Sequence, residues 1–345
     1  MSNNVYGIDL GTNNFKVYSK ATGKTMLEKN TIAVIDKNQI YAYGDSAYAM
    51  YEKAPETINV IFPVVEGVIA DYNLLQTMIF DFLEHKTKAR IKNAEFIIAV
   101  PTDITDVEKR AFYELFYKSK SKPKKVMLCE KPIADAVGLG IDVNEPTGVM
   151  IVDMGADTTE TSVISLGGLV LSDLLHFGGN RLDESIISFV RKEFNLVIGQ
   201  KTAKLLKETI GSALPGREDS MVIVGRDVVS GLPIEMEIGS KVVYEAMKSN
   251  LESICTSIKM ILEKTPPELA ADIADRGIVM TGGGSLLYGL DKLISEKTHI
   301  NTVIADDAVS CVALGTGKYI EFEEGSRGYN RKRKRPKPAD TEQKA

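Results

Sequence analysis

The segment that decides the fold is residues 149–160, which read VMIVDMGADTTE. Its apolar run ends in Asp153-x-Gly155, passes through a polar turn and continues into residues 161–166, which precede a Gly-Gly pair. This pattern predicts a buried strand, a tight turn and a returning strand. Successive backbone N–H groups in such a turn form an anion-binding concavity, and a carboxylate beside it suits a hydrated Mg²⁺ ion.

The same arrangement occurs near the start of the chain. Residues 5–19 read VYGIDLGTNNFKVYS, in which an apolar run again meets Asp9-x-Gly11, a polar turn and a second strand. One such turn is ordinary hairpin chemistry, but two copies at the heads of two half-chains indicate an internal duplication. We therefore expect two related lobes, each of which offers a phosphate-binding hairpin to one shared cleft.

Composition limits the class of protein. The chain has 345 residues, of which 44% are apolar and 26% charged, and this predicts a soluble globular protein with two or more domains. The net charge of −5 argues against general nucleic-acid binding. Cys129, Cys255 and Cys311 have neither disulfide nor zinc spacing, which favours a reducing cytoplasm. No signal peptide and no membrane span are expected.

Periodicity and turn residues predict the elements between the two hairpins and after them. Strands are predicted at 31–35, 39–43, 95–100, 126–128, 221–229, 232–238 and 277–281, with turns at 36–38 and 230–231 and a loop at 63–67. Helices are predicted at 72–84, from 105 onward, at 133–140, from the turn at 178–183 to about 194, at 202–210, at 243–262 and near 311–322. Pro266-Pro267 is expected to end the long helix at 243–262. The boundary between the lobes is expected at 145–148.

Five separated motifs resemble the actin-like ATPase superfamily and, within it, the bacterial actin MreB (rod shape-determining protein) family. The motifs are residues 7–12 (GIDLGT), 67–71 (GVIAD), 101–108 (PTDITDVE), 153–168 from the Asp153 hairpin to Gly167-Gly168, and 264–284 (KTPPELAADIADRGIVMTGGG). The resemblance covers roughly residues 5–318. It identifies the chain as a member of this family and, with the departures described below, as a candidate divergent paralogue.

The resemblance implies an α/β, two-lobed actin-like fold, with duplicated mixed β-sheets flanked by helices and a nucleotide cleft between the lobes. Lobe I would span 1–145 with a small subdomain inserted at about 29–71, and lobe II 146–317 with one inserted at about 180–240. Residues 318–325 would return toward lobe I, and 326–345 would be a basic disordered tail. ATP (or GTP) with Mg²⁺ would occupy the cleft.

The resemblance also implies partners and a location. Subunits of the family assemble head-to-tail into filaments, a heterologous contact that propagates because it does not close on itself. The expected partners are further copies of this chain, a sister bacterial actin and the membrane proteins of cell-wall elongation, at the inner face of the cytoplasmic membrane. The basic run at 331–337 could bind anionic lipid, and a purely solubilising tail is an equal alternative.

Site residues follow from the motifs by position. The first phosphate loop would be Gly11, Thr12, Asn13 and Asn14; the second Gly155, Ala156, Asp157 and Thr158; and the ribose loop Gly178, Gly179 and Asn180. Lys204, Lys207 and Glu208 would contact adenosine from a helix, with Gly282, Gly283, Gly284 and Ser285 opposite, and Asp9 and Asp153 would hold Mg²⁺ through water. The alternative interpretations are turn residues chosen for backbone shape and, for Lys204, a solvated helix face.

The second phosphate loop departs from the family pattern. Relatives carry three glycines before two threonines, whereas this chain has Gly155, Ala156 and Asp157 there. Ala156 is a mild change, because its methyl group only slightly limits how closely the backbone can approach a phosphate. Asp157 would repel a polyphosphate unless Mg²⁺ or a lysine offsets its charge.

The residues implied for hydrolysis are Thr158, Glu130 and the position of Lys131. Relatives carry Glu-Glu-Pro, and the second glutamate orients the attacking water, but this chain reads Glu130-Lys131-Pro132. A protonated lysine cannot accept the proton of that water. We expect weakened hydrolysis with nucleotide binding retained. The alternative is that Lys131 points away from the cleft and pairs with Asp157.

Two rival classes remain within the superfamily. A small-molecule kinase would need a substrate pocket and a carboxylate base for an acceptor hydroxyl. A chaperone-type ATPase would need a substrate-binding domain, whereas only about twenty polar residues follow Gly325. The width of the family match favours the filament-forming actin.

Overall fold

The structure of the chain is a computed structural model that describes residues 4–36, 39–86 and 91–333, with side chains as far as residue 322. Most of the predicted turn at 36–38 falls outside the described residues. The last part of the predicted tail, residues 334–345, also lies outside them.

Eighteen strands are present in the described part of the chain. In the first half they are β1 (Val5–Leu10), β2 (Asn14–Ser19), β3 (Lys24–Lys29), β4 (Ile32–Ile35), β5 (Gln39–Tyr43), β6 (Ile58–Ile61), β7 (Val64–Val65), β8 (Val68–Ile69), β9 (Glu95–Val100) and β10 (Lys125–Glu130). In the second half they are β11 (Val149–Met154), β12 (Thr159–Ser165), β13 (Gly168–Leu175), β14 (Leu196–Val197), β15 (Ser220–Asp227), β16 (Pro233–Gly239), β17 (Ile278–Thr281) and β18 (Thr302–Ile304).

Ten α-helices accompany these strands in the same described ranges. They are α1 (Asp45–Met50), α2 (Tyr72–Asp81), α3 (Asp106–Tyr117), α4 (Lys131–Gly138), α5 (Gly179–Phe194), α6 (Gln200–Ile210), α7 (Ser240–Lys264), α8 (Pro267–Arg276), α9 (Leu290–Thr298) and α10 (Cys311–Arg333). A π-helical turn, Phe82–Lys86, continues α2, and a 3₁₀ turn, Gly283–Leu286, follows β17. Helix α3 begins with a capping box between Thr105 and Glu108.

The two halves of the chain repeat one sheet topology. The first sheet has the order β10-β9-β1-β2-β3 and the second β18-β17-β11-β12-β13. In each, the central strand pairs antiparallel with the strand that follows it and parallel with a later strand, as β1 does with β2 and β9 and β11 with β12 and β17. The predicted duplication and the α/β fold with two mixed sheets are confirmed.

Smaller sheets lie within the stretches predicted as inserted subdomains. Strands β4, β5 and β6 form one antiparallel sheet, β14, β15 and β16 form another, and β7 with β8 makes a short hairpin. That hairpin occupies most of the predicted loop at 63–67, so the loop prediction was too simple. Its tip carries Glu66 at φ 50° and Gly67 at φ 81°, which puts both residues in the left-handed region.

Helices α4 and α10 join the two halves. Apolar side chains of α4, including Ile133 and Ala136, pack with Val5 of the first sheet and Ile151 of the second. Helices α4 and α10 approach closely, because a Cβ atom on Gly315 would lie 1.7 Å from the carbonyl oxygen of Ala134. Glycine is therefore required at this crossing, and α4 is held firmly between the sheets.

Differences from the sequence prediction have local causes. Strand β3 was missed because its charged residues hide the alternation, and β18 because it is short. Helix α8 was missed because Pro266-Pro267 was interpreted only as a stop, although proline is favoured in a first helical turn. Helix α10 continues to Arg333, beyond its predicted end near 322, because extending a formed helix costs less than nucleating one.

None of the helices in the described ranges combines the length and apolar composition that crossing a bilayer requires.

Candidate functional site

A cleft of about 720 Å³ lies between the two sheets, and both hairpin turns line it. Most of the residues singled out in the sequence line this one cleft: Asp9, Gly11, Thr12, Asn13, Asn14, Lys131, Asp153, Gly155, Ala156, Asp157, Thr158, Gly179, Asn180, Lys204, Lys207, Glu208, Gly282, Gly283 and Gly284. Three others, Glu130, Gly178 and Ser285, are not among the lining residues. Residues from both halves of the sequence therefore converge on one cavity.

The two hairpin turns have the same backbone bond. Gly11 N–H donates to Asn14 O at 3.1 Å, and Gly155 N–H donates to Thr158 O at 2.8 Å. The first turn is also held from behind, because the buried side chain of Asn30 donates to Gly11 O at 2.8 Å. Each turn is thus held by hydrogen bonds within the protein.

Asp9 and Asp153 occupy equivalent positions near the ends of β1 and β11. Asp9 is 2% exposed, and its Oδ2 accepts from Lys16 Nζ at 2.6 Å. Its Oδ1 makes no hydrogen bond within the described part of the chain and lies 4.0 Å from Lys131 Nζ. Burial raises the pKa of Asp9, but Lys16 and Lys131 outweigh that effect and lower it overall. Burial raises the pKa of Asp153, which Lys131 and Lys16 only partly offset.

Lys131 faces the cleft. It begins α4 directly after β10, and its side chain is only 13% exposed. Burial alone lowers the pKa of Lys131, but the carboxylates of Asp9, Asp153 and Glu160 raise it above its ordinary value. The alternative in which Lys131 points away and pairs with Asp157 is wrong, because the nearest carboxylate is that of Asp9.

Asp157 has partners that the sequence did not reveal. Its Oδ1 accepts from Asn180 Nδ2 at 2.7 Å, and its Oδ2 accepts from the backbone N–H of Glu66 at 2.9 Å. Asn13 in turn donates its side-chain N–H to Asn180 Oδ1 at 3.0 Å. Hydrogen bonds therefore supply part of the compensation for the Asp157 charge that was expected from a lysine or Mg²⁺. Asp157 also links the second hairpin turn to the first half of the chain.

The start of α5 packs on the second hairpin turn. Gly179 N–H donates to Gly155 O at 3.1 Å, and Asn180 N–H donates to Ala156 O at 2.8 Å. A Cβ atom on Gly178 would lie 2.6 Å from Gly155 O, so this approach needs glycine. Gly179 and Asn180 line the cleft, and these two N–H groups are already occupied by protein acceptors.

Helix α6 forms one wall of the cleft. Lys207 Nζ donates to Gly179 O at 2.6 Å and forms an ion pair of 2.8 Å with Asp183, which ties α6 to α5. Burial lowers the pKa of Lys207, and Asp183 opposes that change. Lys204 lies 3.8 Å from Glu208, and both side chains line the cleft. The side chain of Lys204 is 23% exposed.

The glycine turn after β17 forms the opposite wall. Gly282 has φ 80°, and a Cβ atom there would lie 2.3 Å from Asp153 Oδ1. Ser285 is fully buried and donates its hydroxyl to Gly282 O at 2.6 Å. Ser285 therefore supports the turn from behind and does not line the cleft.

Several residues of the site were not identified from the sequence. Lys16 was hidden within an ordinary strand pattern, and Asn30 within a connection between strands. Glu160 was quoted with the second hairpin but given no role, although it is 3% exposed and accepts from the backbone N–H of Thr102 at 2.9 Å and from the Thr102 hydroxyl. Asp135 is fully buried on α4, four residues after Lys131. The sequence signal that could have identified Asp135 is a charged residue among the apolar residues of a short predicted helix.

The cleft fits an Mg²⁺–nucleotide by the chemistry of its donors. Within the described residues no group of three or more His, Cys, Asp or Glu side chains could hold a metal by itself. Mg²⁺ in nucleotide sites is held by one or two carboxylates together with water and phosphate oxygens. Asp9 Oδ1 and Asp153 supply such carboxylates, and Lys16 and Lys131 supply positive charge beside them.

The sequence profile of the MreB/Mbl protein family matches residues 3–327. The chain is also similar to the cell shape-determining protein MreB of Escherichia coli (strain K12). The two are 39% identical over 330 residues, which cover 93% of this chain and 94% of that protein. The chain belongs to the MreB/Mbl family.

Solved structures agree with this family membership. The fold is similar to that of MreB5 of Spiroplasma citri bound to AMPPNP, with a TM-score of 0.88, 34% identity, and coverage of 94% of this chain and 98% of that chain. MreB5 has also been solved bound to ADP. The MamK double helical filament shares the fold, with a TM-score of 0.78, 21% identity and coverage of 92% and 98%. The actin-like fold is confirmed.

We predict a pH-dependent effect of Glu160→Gln on stability. Burial raises the pKa of Glu160 to about 7, although the hydrogen bonds from Thr102 oppose the rise. In the unfolded chain the carboxyl group ionises near its ordinary value, so the native protein loses stability as the pH rises from about 4.5 to 7. Glu160→Gln has no carboxyl group at this position and therefore does not lose stability in this way. Its free energy of unfolding relative to the unmodified chain should therefore rise by about 3 kcal/mol over that range and stay level above it.

Denaturant unfolding at a series of pH values in EDTA measures this difference. Glu184→Gln, a change at an exposed carboxylate on α5, is the control and should show no such trend. A Glu160→Gln difference that is the same at pH 4.5 and pH 8 would contradict the prediction.

Proposed function

We propose that this chain is an ATP-binding, filament-forming bacterial actin that acts in cell-shape determination, with Mg²⁺ held beside the nucleotide phosphates. The observation that supports this most strongly is the pair of hairpin turns, one from each sheet, that present Asp9 and Asp153 to one cleft. MreB5 of Spiroplasma citri, to which the chain is similar, binds AMPPNP and ADP. GTP is the alternative nucleotide.

Each part of the cleft has a role in this proposal. The backbone of the two hairpin turns and the side chains of Thr12 and Thr158 bind the phosphates, and helix α6 with the glycine turn after β17 binds the nucleoside. A bound Mg²⁺ ion would neutralise phosphate charge beside Asp9 and Asp153. Lys16 and Lys131 keep those two carboxylates from repelling the phosphates, because they offset the negative charge in the same cavity.

We further propose that hydrolysis is weak. The buried ammonium of Lys131 lies in the cleft 4.0 Å from Asp9, and the surrounding carboxylates keep it protonated. A protonated amine cannot take a proton from an attacking water, but it can stabilise the γ-phosphate of ATP. The neighbouring Glu130 does not line the cleft and is not placed to replace the missing base.

Family membership supports a proposal about assembly and location. The similar E. coli protein is a cell shape-determining protein, and MamK, which shares the fold, forms a double helical filament. We propose head-to-tail assembly of this chain in the cytoplasm at the inner face of the membrane, alone or with a sister actin, in contact with membrane proteins of cell-wall elongation. The family match over residues 3–327 disfavours a small-molecule kinase or a chaperone-type ATPase.

Sedimentation tests the proposed assembly. We expect the purified chain to pellet with ATP and Mg²⁺ and to remain largely in the supernatant without nucleotide, because a filled cleft fixes the two lobes in one relative position. AMPPNP should support pelleting as well as ATP does. A chain that binds ATP but stays in the supernatant at all concentrations and salts would contradict filament formation.

Phosphate release tests the proposed role of Lys131. Lys131→Glu should raise the rate of ATP hydrolysis by roughly tenfold or more, since a positioned general base contributes about 10²- to 10⁴-fold in favourable cases. Lys131→Gln removes the charge without adding a base and is the matched control, which should stay near the original rate. Rapid hydrolysis by the unmodified chain, unchanged in Lys131→Glu, would rule out weakened hydrolysis.

A further inference from the structure

The N-terminus of α6 is capped by a residue from the other half of the molecule. Glu52 follows α1, and its Oε1 accepts from Gln200 N–H at 2.8 Å while its Oε2 accepts from Lys201 N–H at 3.3 Å. These are the first backbone N–H groups of α6, which have no acceptor within their own helix. The residue that precedes them, Gly199, has no side chain with which to cap the helix.

A second set of hydrogen bonds runs from α6 to the end of α1. Lys201 Nζ donates to Tyr51 O at 2.9 Å and to Ala49 O at 3.2 Å, at the end of α1. The carboxylate of Glu52 thus meets the positive end of the α6 dipole, and the ammonium of Lys201 meets carbonyl groups at the negative end of α1. Glu52 thus binds the start of α6, and Lys201 binds the end of α1. We call these two sets of contacts the cleft clamp.

The backbone on each side of the clamp is shaped for this contact. Glu52 has φ 62°, a left-handed conformation that is unfavourable for a residue with a Cβ atom. A Cβ atom on Gly199 would lie only 2.9 Å from one carboxylate oxygen of Glu52 and 3.1 Å from the other. The carboxylate therefore sits in space that the missing side chain of Gly199 leaves open.

The clamp acts on the helix that forms a wall of the cleft. Helix α6 carries Lys204 and Glu208, which line the cleft. The ring of Tyr48 on α1 lies 5.0 Å from Lys201 Nζ and 5.9 Å from Lys204 Nζ, so α1 contacts the same helix beyond the capping bonds. If the two halves separated to release a ligand, the Glu52 bonds would break and the first turn of α6 would lose its cap.

We propose that Glu52 is a positioning residue that holds α6 closed over the cleft and thereby slows the release of bound nucleotide. Glu52 acts through α6 and does not line the cleft itself. The proposal rests on the proposed function, in which the cleft binds a nucleotide. It adds a specific contact between the halves that must open before the nucleotide can leave.

Dissociation of a fluorescent ATP analogue, measured by competition with excess ATP in Mg²⁺, tests the proposal at protein concentrations below those that sediment. Glu52→Ala should release the nucleotide roughly two- to tenfold faster, the size expected when a helix N-cap is lost. Glu52→Gln keeps one neutral acceptor and should fall between. Glu56→Gln, at an exposed carboxylate of the same connection, is the control and should match the unmodified chain.

A change on the opposite side of the contact makes the test specific. Gly199→Ala at φ −84° introduces no backbone strain, but its Cβ atom displaces the Glu52 carboxylate. It should also speed release, and the double variant with Glu52→Ala should be no faster than Glu52→Ala alone, because both changes remove the same interaction. Equal dissociation rates for Glu52→Ala and Glu56→Gln, or additive effects in the double variant, would overturn the proposal.

Hydrogen exchange separates failure of the clamp from failure of the proposed function. In the nucleotide-free protein, Glu52→Ala should increase exchange at the Gln200 and Lys201 amides while amides in the middle of α6 stay protected. If the chain binds no nucleotide, the proposed function fails, and this exchange result still decides whether the clamp exists. Unchanged exchange at both amides would refute the clamp whether or not nucleotide binds.

Discussion

The structure depends on placing two acidic groups in one buried cavity without letting them repel each other. Asp9 and Asp153 stand near the ends of equivalent central strands, and burial disfavours the charged form of both. Lys16 and Lys131 oppose that effect in the same cavity. A polyphosphate with its cation would therefore meet carboxylate and ammonium groups that the fold has already brought together.

Helix α4 connects this charge cluster to the body of the protein. Its first residue is Lys131, and its apolar residues are buried between the two sheets, against α10 at a crossing that only glycine allows. A relative movement of the sheets must therefore move Lys131 with respect to Asp9 or Asp153. The fully buried carboxylate of Asp135, one turn further along α4, adds to the negative charge that raises the pKa of Lys131.

Further contacts between the two halves lie around the cleft. Asp157 reaches the hairpin tip at Glu66, Glu160 accepts from Thr102, and Glu52 caps α6. Each is a carboxylate of one half that accepts backbone N–H groups of the other. Such bonds are stronger than those between neutral groups, so together they favour the closed arrangement while leaving each single contact weak enough to open.

The sequence was sufficient for the duplication, because an apolar run followed by Asp-x-Gly and a polar turn occurs at the same place in both halves. It was also sufficient for most of the cleft lining, since turn residues are local in the chain. The sequence did not reveal the role of a residue when that role depends on a partner far away in the chain. Asp157 looked like a source of repulsion because neither Asn180 nor Glu66 is near it in sequence, and Lys16 looked like one more polar residue of a strand.

The same limit applies to Glu52. Nothing in its neighbourhood marks it as a helix cap, because the helix it caps begins about 150 residues later. Element boundaries were wrong for a different reason. Helix α8 starts at Pro267, only three residues after the end of α7, and α10 continues past its apolar face, so neither boundary coincides with a change in the apolar pattern.

We propose that the carboxylates of Asp9 and Asp153 bind a nucleotide through a cation. Calorimetric titration of ATP into the unmodified chain and into Asp153→Asn, each with Mg²⁺ and in EDTA, tests it most directly. The account predicts at least tenfold tighter binding to the unmodified chain with Mg²⁺ than in EDTA. It also predicts that Asp153→Asn loses most of that difference while binding ATP in EDTA at least as well, since one repelling charge is gone. Equal effects of Mg²⁺ on both proteins, or no binding of ATP under any of these conditions, would contradict the account.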